Sequence, residues 1–357
     1  MLMRMMEEVS SSQVDPPFLK TYNKLFDNLN ETASGAAGQK LIRDAELFSL
    51  EQWELPLIDL EKLNKGESQR AKCKDEIAKA SKEWGFFQVI NHGIPREILE
   101  KMRSEQIKAF RRPFHEKVES NDEDSILAES YKWGTPSATC LDQLSWSEAY
   151  HVPLSSISAS DESDHHYGGD GLRSTMKNCG KAMSELAHKL AEILAENLGH
   201  KSTFFRQTCL PSTCYLRMNR YPPCPISPHV SGLMPHTDSD FITVLHQDQI
   251  GGLQLVKDGK WIAVKPNPDA LIINIGDLFQ AWSNGVYKSV EHRVVTNMLN
   301  ERFSLAFFLC PSYETVIKSC VDPAVYRRFS FKEYRDQVQD DVKKFGHKVG
   351  LPRFLAV

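Results

Sequence analysis

Residues 214–247 read CYLRMNRYPPCPISPHVSGLMPHTDSDFITVLHQ. Short β-branched and aromatic runs alternate there with Pro, Gly, Ser and Asp breaks, and the same texture continues to residue 310. Runs of this kind between turn residues read as strands. A long succession of them predicts an antiparallel barrel or a jelly roll. The flanks read differently. Residues 69–84 and 97–111 carry apolar side chains at helical spacing. Between them Trp84-Gly85-Phe86-Phe87-Gln88-Val89-Ile90 reads as a strand, closed by the turn Asn91-His92-Gly93-Ile94-Pro95. Met176, Cys179, Met183, Leu186, Leu190, Ile193 and Leu198 recur at threes and fours, and Gly199 stands where a C-terminal cap belongs. That spacing predicts one long helix with its apolar stripe against a sheet. Leu55-Pro56-Leu57-Ile58-Asp59-Leu60 reads as a short strand and residues 330–346 as a further helix.

The expected class is therefore mixed α/β (α+β), with four segments. Residues 1–50 form a polar lead-in with one short helix near residues 19–29, and residues 51–205 form a largely helical region. Residues 206–315 form the β-rich catalytic domain and residues 316–357 a C-terminal helical segment. Residues 158–171 read as an exposed loop.

At 357 residues the chain can bury a large core, and 41% hydrophobic with 25% charged residues is ordinary for a globular protein. A formal net charge of −4 gives no basis for binding nucleic acid or an anionic membrane surface. The first residues meet charge at Arg4 and carry no apolar core of a signal peptide, and no apolar run reaches a membrane-spanning length. Eight cysteines are scattered without a CxxC pair, which predicts reduced thiols and a cytoplasmic location. The expected partner is a small molecule, and oligomeric state stays open.

His236-Thr237-Asp238 is an HxD pair. On a strand, residues two apart share a face, so both side chains can converge on one ion. By itself such a pair is more often a His and an Asp in a surface turn than a metal site. His292, in the strand-like run after Ser283-Asn284-Gly285, supplies a second imidazole. Two histidines and one carboxylate form a facial triad with open positions, suited to ferrous iron. Zinc accepts the same ligands, but no HExxH is present to supply its general base. Ten residues past His292 stand Arg302 and Ser304, again on one face. A guanidinium fork beside a hydroxyl suits a carboxylate. Arg217, Asn219 and Tyr221 share a face too, and the latter two are placed to hydrogen-bond a bound keto acid.

Taken in order, Trp84-Gly85-Phe86-Phe87, Asn91-His92-Gly93, Asn219-Arg220-Tyr221-Pro222-Pro223-Cys224, His236-Thr237-Asp238, Gly251-Gly252-Leu253-Gln254, Asn274-Ile275-Gly276-Asp277 and Arg302-Phe303-Ser304 resemble the plant Fe(II)- and 2-oxoglutarate-dependent dioxygenases. The resemblance spans about residues 55–345. It implies a double-stranded β-helix (jelly roll) core flanked by helices. It implies Fe(II) on His236, Asp238 and His292, 2-oxoglutarate with its far carboxylate on Arg302 and Ser304 and support from Tyr221 and Asn219, and dioxygen, with ascorbate in support. Within the family, Tyr131-Lys132-Trp133-Gly134-Thr135-Pro136 and Leu144-Ser145-Trp146-Ser147-Glu148-Ala149-Tyr150-His151-Val152-Pro153 resemble gibberellin 2-oxidases acting on twenty-carbon gibberellins. The implied reaction is 2β-hydroxylation. Two departures stand out: Arg220 where most members carry Tyr, and Lys132 where Arg is commoner.

A gibberellin is an apolar ring system bearing carboxylates, so its pocket needs apolar walls and one or two cations. Phe308 and Trp133 are the candidate walls and Arg217 the candidate cation. Glu148, His151 and His246 read as structural, and His165 and His166 as solvated. Two rival readings remain: the same chemistry on a flavonoid or other specialised metabolite, and a non-catalytic jelly-roll binding protein.

Overall fold

The structure, a computed structural model, describes residues 13–26, 50–119, 126–127, 129–158, 170–200, 203–227 and 229–356. The expected lead-in over residues 1–50 falls mostly outside these, as do the loop at residues 158–171 and His165 and His166. Thirteen strands build two facing sheets. They are β1 (Gln52–Trp53), β2 (Leu57–Asp59), β3 (Phe86–Ile90), β4 (Tyr131–Trp133), β5 (Glu148–Pro153), β6 (Tyr215–Tyr221) and β7 (Ser231–His236). After them come β8 (Ile242–Gln247), β9 (Leu253–Lys257), β10 (Lys260–Val264), β11 (Leu271–Ile275), β12 (His292–Val295) and β13 (Arg302–Leu309). The larger sheet runs β2-β3-β11-β8-β13-β6-β5-β4 and the smaller β1-β10-β9-β12-β7. Pairing is antiparallel except at the edges, where β1 joins β10 and β2 joins β3 in parallel. This is the jelly roll that the turn-broken run predicts.

Three long helices cover the outer face, α1 (Glu67–Glu83), α2 (Arg96–Phe110) and α3 (Asp170–Asn197), and a fourth, α4 (Phe331–Phe345), follows the jelly roll in the chain. In α3, Met176, Cys179, Met183, Leu186 and Leu190 are buried in one core with Leu305, Phe307 and Leu309 of β13. The helix ends as its glycine requires: Gly199 takes φ +79°, and the His200 amide donates to the Ala195 carbonyl. Every residue of β13 is buried, because helices cover one face and the second sheet the other. A smaller core between the sheets holds Leu55, Phe86, Leu253, Leu255, Ile262 and Ile272.

One expected strand shortens. At residues 55–60 only Leu57–Asp59 is extended, and Leu60–Asn64 turns into a 3-10 helix. Asp59 caps it by accepting from the Glu61 amide, and Leu60 and Leu63 both reach the core. The short helix near residues 19–29 begins with Phe18–Thr21, and the described part of that segment ends at residue 26. Phe18, Tyr22 and Phe26 bury themselves with Leu144 and Trp146, so the N-terminal segment is packed against the body. The cysteines are free thiols, as expected. Among the described residues no helix is long and apolar enough to cross a membrane.

Gly85 shows how a local residue positions the site. Its φ is +64°, and a Cβ there would lie 2.2 Å from the Lys288 carbonyl oxygen. Only glycine lets residues 288–290 run against the start of β3, and that path delivers His292 to the cavity between the sheets.

Candidate metal and keto-acid site

β7 ends on His236 and β12 begins on His292, and the two are register partners. Asp238 follows two residues past β7. One ligand atom from each of the three lies within 4.8 Å of the others. The Nε2 atoms of His236 and His292 stand 3.6 and 3.8 Å from Asp238 Oδ1. Each ring is fixed from behind: Nδ1 of His236 donates to the Met234 carbonyl at 2.8 Å, and Nδ1 of His292 to the Val290 carbonyl at 3.0 Å. A neutral imidazole that donates from Nδ1 presents its Nε2 lone pair forward. Phe86 packs edge-on against the His292 ring, centroids 5.2 Å apart.

Asp238 is held just as firmly. Its Oδ2 accepts from Thr243 Oγ1 and from Asn274 Nδ2, both at 2.6 Å, which turns Oδ1 toward the histidines. Burial works against the carboxylate, but the adjacent histidines and the Thr243 hydroxyl outweigh it and keep its pKa below the usual range. Burial, then the neighbouring His236, pushes His292 down to about 4, so its ring is neutral at pH 7. Two imidazole nitrogens and a carboxylate oxygen are the donor set a divalent iron needs.

The loop between the ligands is pinned from the far end of the chain. Lys348 Nζ donates to the Thr237 carbonyl at 2.9 Å and to Ser239 Oγ at 2.8 Å, and pairs with Asp277 at 2.7 Å. Thr237 Oγ1 and the Tyr334 hydroxyl also donate to Asp277 Oδ2. The Asp277 amide in turn donates to the Asp238 carbonyl at 2.9 Å.

The larger sheet supplies the second half of the site. Arg302 pairs with Tyr221 and Ser304 with Asn219 across β13 and β6, so all four side chains line one cavity with the triad. Arg302 is 3% exposed. Its Nη2 donates to Gln247 Oε1 at 2.7 Å, and its guanidinium lies 4.9 Å from the Tyr221 ring centroid. Its Nε and Nη1 are buried without a hydrogen-bond partner. A buried guanidinium with two unmet donors is costly to a fold unless a ligand oxygen meets them. The residues therefore fit both groups: three donors for iron, and a cation and hydroxyls for a dicarboxylate beside it.

The cavity encloses about 250 Å³. Arg217 lines it, its Nε bonded to Asn219 Oδ1 at 2.8 Å. Phe308 lines it as well, stacked on Tyr215 with centroids 4.5 Å apart. Trp133 does not reach it, which corrects the expected wall. Its ring packs edge-on against Phe18, Tyr22 and Phe114, because the N-terminal segment folds over that end of β4. Glu148 is a buried ion-pair partner of Lys117 and Arg220. Arg220 points to the outer face, where it also meets Asp15 and Glu301. His246 stands away from the triad, beside His92 and Asn91.

Several residues of the site escaped the sequence reading: Thr243, Gln247, Asn274 and Lys348. Thr243 and Gln247 had a signal, since they alternate along β8 with Leu245, on the face that Thr243 and Leu245 present to the cavity. Lys348 had none, lying 111 residues from the carbonyl it holds.

Comparison with known proteins agrees with this geometry. Residues 212–311 match the family model of the 2OG-Fe(II) oxygenase superfamily, and residues 55–169 match that of the N-terminal region described as non-haem dioxygenase in morphine synthesis. Gibberellin 2-beta-dioxygenase 8 of Arabidopsis thaliana is 58% identical over 343 residues, covering 96% of this chain and 99% of that one. Gibberellin 2-beta-dioxygenase 6 of Oryza sativa subsp. japonica is 47% identical, covering 96% of each. Among solved structures, JOX2 in complex with 2OG, Fe and JA superposes with a TM-score of 0.71 at 30% identity, over 86% of this chain and 91% of that one. The dioxygenase for auxin oxidation in rice gives 0.69 at 28% identity, over 85% and 100%.

Proposed function

This chain belongs to the 2OG-Fe(II) oxygenase superfamily and is an Fe(II)- and 2-oxoglutarate-dependent dioxygenase; from that premise we propose that it hydroxylates carbon 2, on the β face, of twenty-carbon gibberellins. Such a hydroxylation deactivates the hormone pathway at the precursor stage. The reaction class rests above all on one observation: Arg302, with two unmet buried donors, shares a cavity with His236, Asp238 and His292. The substrate reading draws on the two gibberellin 2-beta-dioxygenases similar to this chain over nearly their whole length. The motifs at residues 131–136 and 144–153 favour the twenty-carbon class, and Arg220 in place of the commoner Tyr fits a deactivating oxidase.

In this reading His236 and His292 would offer Nε2, and Asp238 Oδ1, to the iron. When bound, iron with 2-oxoglutarate and dioxygen supplies the oxidising power for an unactivated C–H bond. Arg302 and Ser304 hold the far carboxylate of 2-oxoglutarate, and the Tyr221 ring and Gln247 fix the guanidinium. Asn219 supports Ser304, its amide 3.4 Å from the hydroxyl. Leu233, Leu245, Val294 and Phe308 keep water from the reacting face and offer the substrate an apolar surface. The protein's share is thus geometry and exclusion of water.

The test incubates the protein anaerobically with Fe(II) and 2-oxoglutarate, admits air, and follows succinate with and without a twenty-carbon gibberellin. Succinate formed together with a product one oxygen heavier, hydroxylated at carbon 2, supports the reading. Slow succinate with no hydroxylated gibberellin sinks the substrate while keeping the chemistry. In that case a flavonoid panel comes next.

A further inference from the structure

Helix α2 carries one residue that departs from its own pattern. Leu99, Met102, Ala109 and Phe110 form its buried stripe, and the Phe110 ring packs 6.2 Å from the Phe303 ring of β13, centroid to centroid. Gln106 stands four residues after Met102 and three before Ala109, inside that stripe, and is 2% exposed. Residues at this spacing share one helix face, and a face turned to the core is apolar. An amide buried there is unfavourable unless its hydrogen bonds are met.

Gln106 directs its amide into the larger sheet. Its Nε2 donates to the Asn219 carbonyl at 3.0 Å and to the Ser304 carbonyl at 2.9 Å. Both partners accept only, so each takes one of the two N–H groups of a single amide. The two carbonyls belong to register partners on β6 and β13, the strands that present Asn219, Tyr221, Arg302 and Ser304 to the cavity. A carbonyl has a second lone pair beyond the one a strand ladder uses. Leucine or methionine at residue 106 would therefore fill the stripe and leave the sheet paired. What an apolar side chain would not do is tie these two backbones together.

The same helix is fastened to β13 a second time. Arg111, just past its end, pairs with Glu301, which also accepts from Arg220 Nε at 2.9 Å. The two attachments, at residues 301 and 304, flank Arg302. On the cavity side, Asn219 Nδ2 stands 3.4 Å from Ser304 Oγ, a long hydrogen bond. The bridge through Gln106, behind the strands, is the shorter tie. The iron ligands have no such support from α2. His236 and His292 belong to the smaller sheet, and Asp238 is aimed by Thr243 of β8 and Asn274 of β11.

We propose that Gln106 is a positioning residue for 2-oxoglutarate. By bridging the backbones of Asn219 and Ser304, it sets the spacing at which Ser304 and Arg302 meet the far carboxylate. Gln106 touches neither the co-substrate nor the metal, and acts through the two strands. A site keeps its productive geometry only while supporting hydrogen bonds hold it, and a loosened clamp loses affinity before the fold is lost. This rests on the assignment of Arg302 and Ser304 to the far carboxylate, and is independent of which substrate is hydroxylated.

The experiment compares the parent with Gln106→Met, Gln106→Leu and Arg302→Ala. Anaerobic calorimetry gives the Kd of the metal-free protein for Fe(II), and then the Kd of the Fe(II)-loaded protein for 2-oxoglutarate. Succinate formation in air gives kcat and KM for 2-oxoglutarate, and thermal unfolding gives the metal-free Tm. Both Gln106 variants should raise Kd and KM for 2-oxoglutarate about tenfold, with kcat at saturating co-substrate within about twofold. Their Fe(II) Kd and metal-free Tm should stay near the parent values, because the triad is braced elsewhere and the apolar stripe is filled. Arg302→Ala is the reference for a lost clamp. If it weakens 2-oxoglutarate while both Gln106 variants bind it as the parent does, the positioning role is wrong. A rise in the 2-oxoglutarate Kd matched by an equal rise in the Fe(II) Kd and a lower Tm would make Gln106 a prop for the fold and also overturn it. If Arg302→Ala leaves the 2-oxoglutarate Kd unmoved, the clamp assignment itself falls and takes the positioning role with it.

Discussion

At the scale of single residues, Arg302 carries the sharpest expectation. Two of its donors wait in a buried site, and hydrogen bonds to charged groups contribute about 1.5–3 kcal/mol each way they are counted. Arg302→Ala should therefore raise KM for 2-oxoglutarate about tenfold or more, measured by succinate formation, while iron affinity holds. Arg302→Lys should recover little, because an ammonium lacks the planar fork. An unchanged KM in both variants would remove Arg302 from the clamp. His246 gives a pH expectation at the same scale. Burial, with Arg103 and His92 nearby, pushes its pKa down to about 4, against about 6.5 in an unfolded chain. Between those values the unfolded state holds more protons, so stability is full above about pH 6.5 and is lost as pH falls toward 4. His246→Gln should flatten the fall of Tm across that window, with His151 and His292 still titrating; an identical slope would rule the residue out. The triad was legible at this scale because its chemistry is sparse: few side chains hold iron, and HxD on a strand fixes their direction. Asn274 was not, since a buried amide in a β-run looks the same whether or not it bonds a ligand carboxylate.

Elements show a different limit. Arg220 was legible as facing away from the site by simple alternation along β6, but its partners were not. Asp15 and Glu148 lie 205 and 72 residues away in sequence. Glu148 on β5 is 1% exposed and is shared by Lys117, Arg220 and the Tyr131 hydroxyl. Through Asp15 and the Val14 carbonyl, which accepts from Lys117, the same cluster ties the N-terminal segment to the sheet. That tie also explains Trp133: an aromatic on a β-run reads as a pocket wall until the segment that covers it is known. Glu148→Gln keeps the shape but leaves the buried Lys117 without its carboxylate and removes one of the three that meet Arg220. Removing one partner of a buried pair costs about 3–5 kcal/mol, and urea unfolding should show a loss of that order. Asp15→Ala, at a partly exposed site, should cost much less. Equal and small losses in both would mean that the cluster is solvated in a way its burial denies.

Over the whole molecule, the iron site is where the two sheets meet. His236 and His292 come from the smaller sheet, while Thr243 and Asn274, which aim Asp238, come from the larger. The jelly roll was legible from turn signals, yet the order of its strands was not, because neighbours such as β6 and β13 are far apart in sequence. The chain's last segment closes the arrangement. Lys348 reaches back to Thr237, Ser239 and Asp277 and so fixes the loop that separates two ligands. Groups that orient metal ligands without touching the metal change affinity by about 10–100-fold when removed. Lys348→Met keeps the apolar stem and removes the ammonium, and Asp277 retains Tyr334 and Thr237 as donors. The Fe(II) Kd should rise about tenfold, read by anaerobic calorimetry, and the rise in Tm on adding Fe(II) should shrink with it. That rise is itself expected, since ligand at a hundredfold excess over Kd stabilises by about 2.7 kcal/mol. The metal-free Tm separates positioning from mere packing. If it drops while the Fe(II) Kd stays at the parent value, Lys348 only braces the fold. If the Kd rises with the metal-free Tm nearly unmoved, the far end of the chain holds the iron loop in its binding geometry.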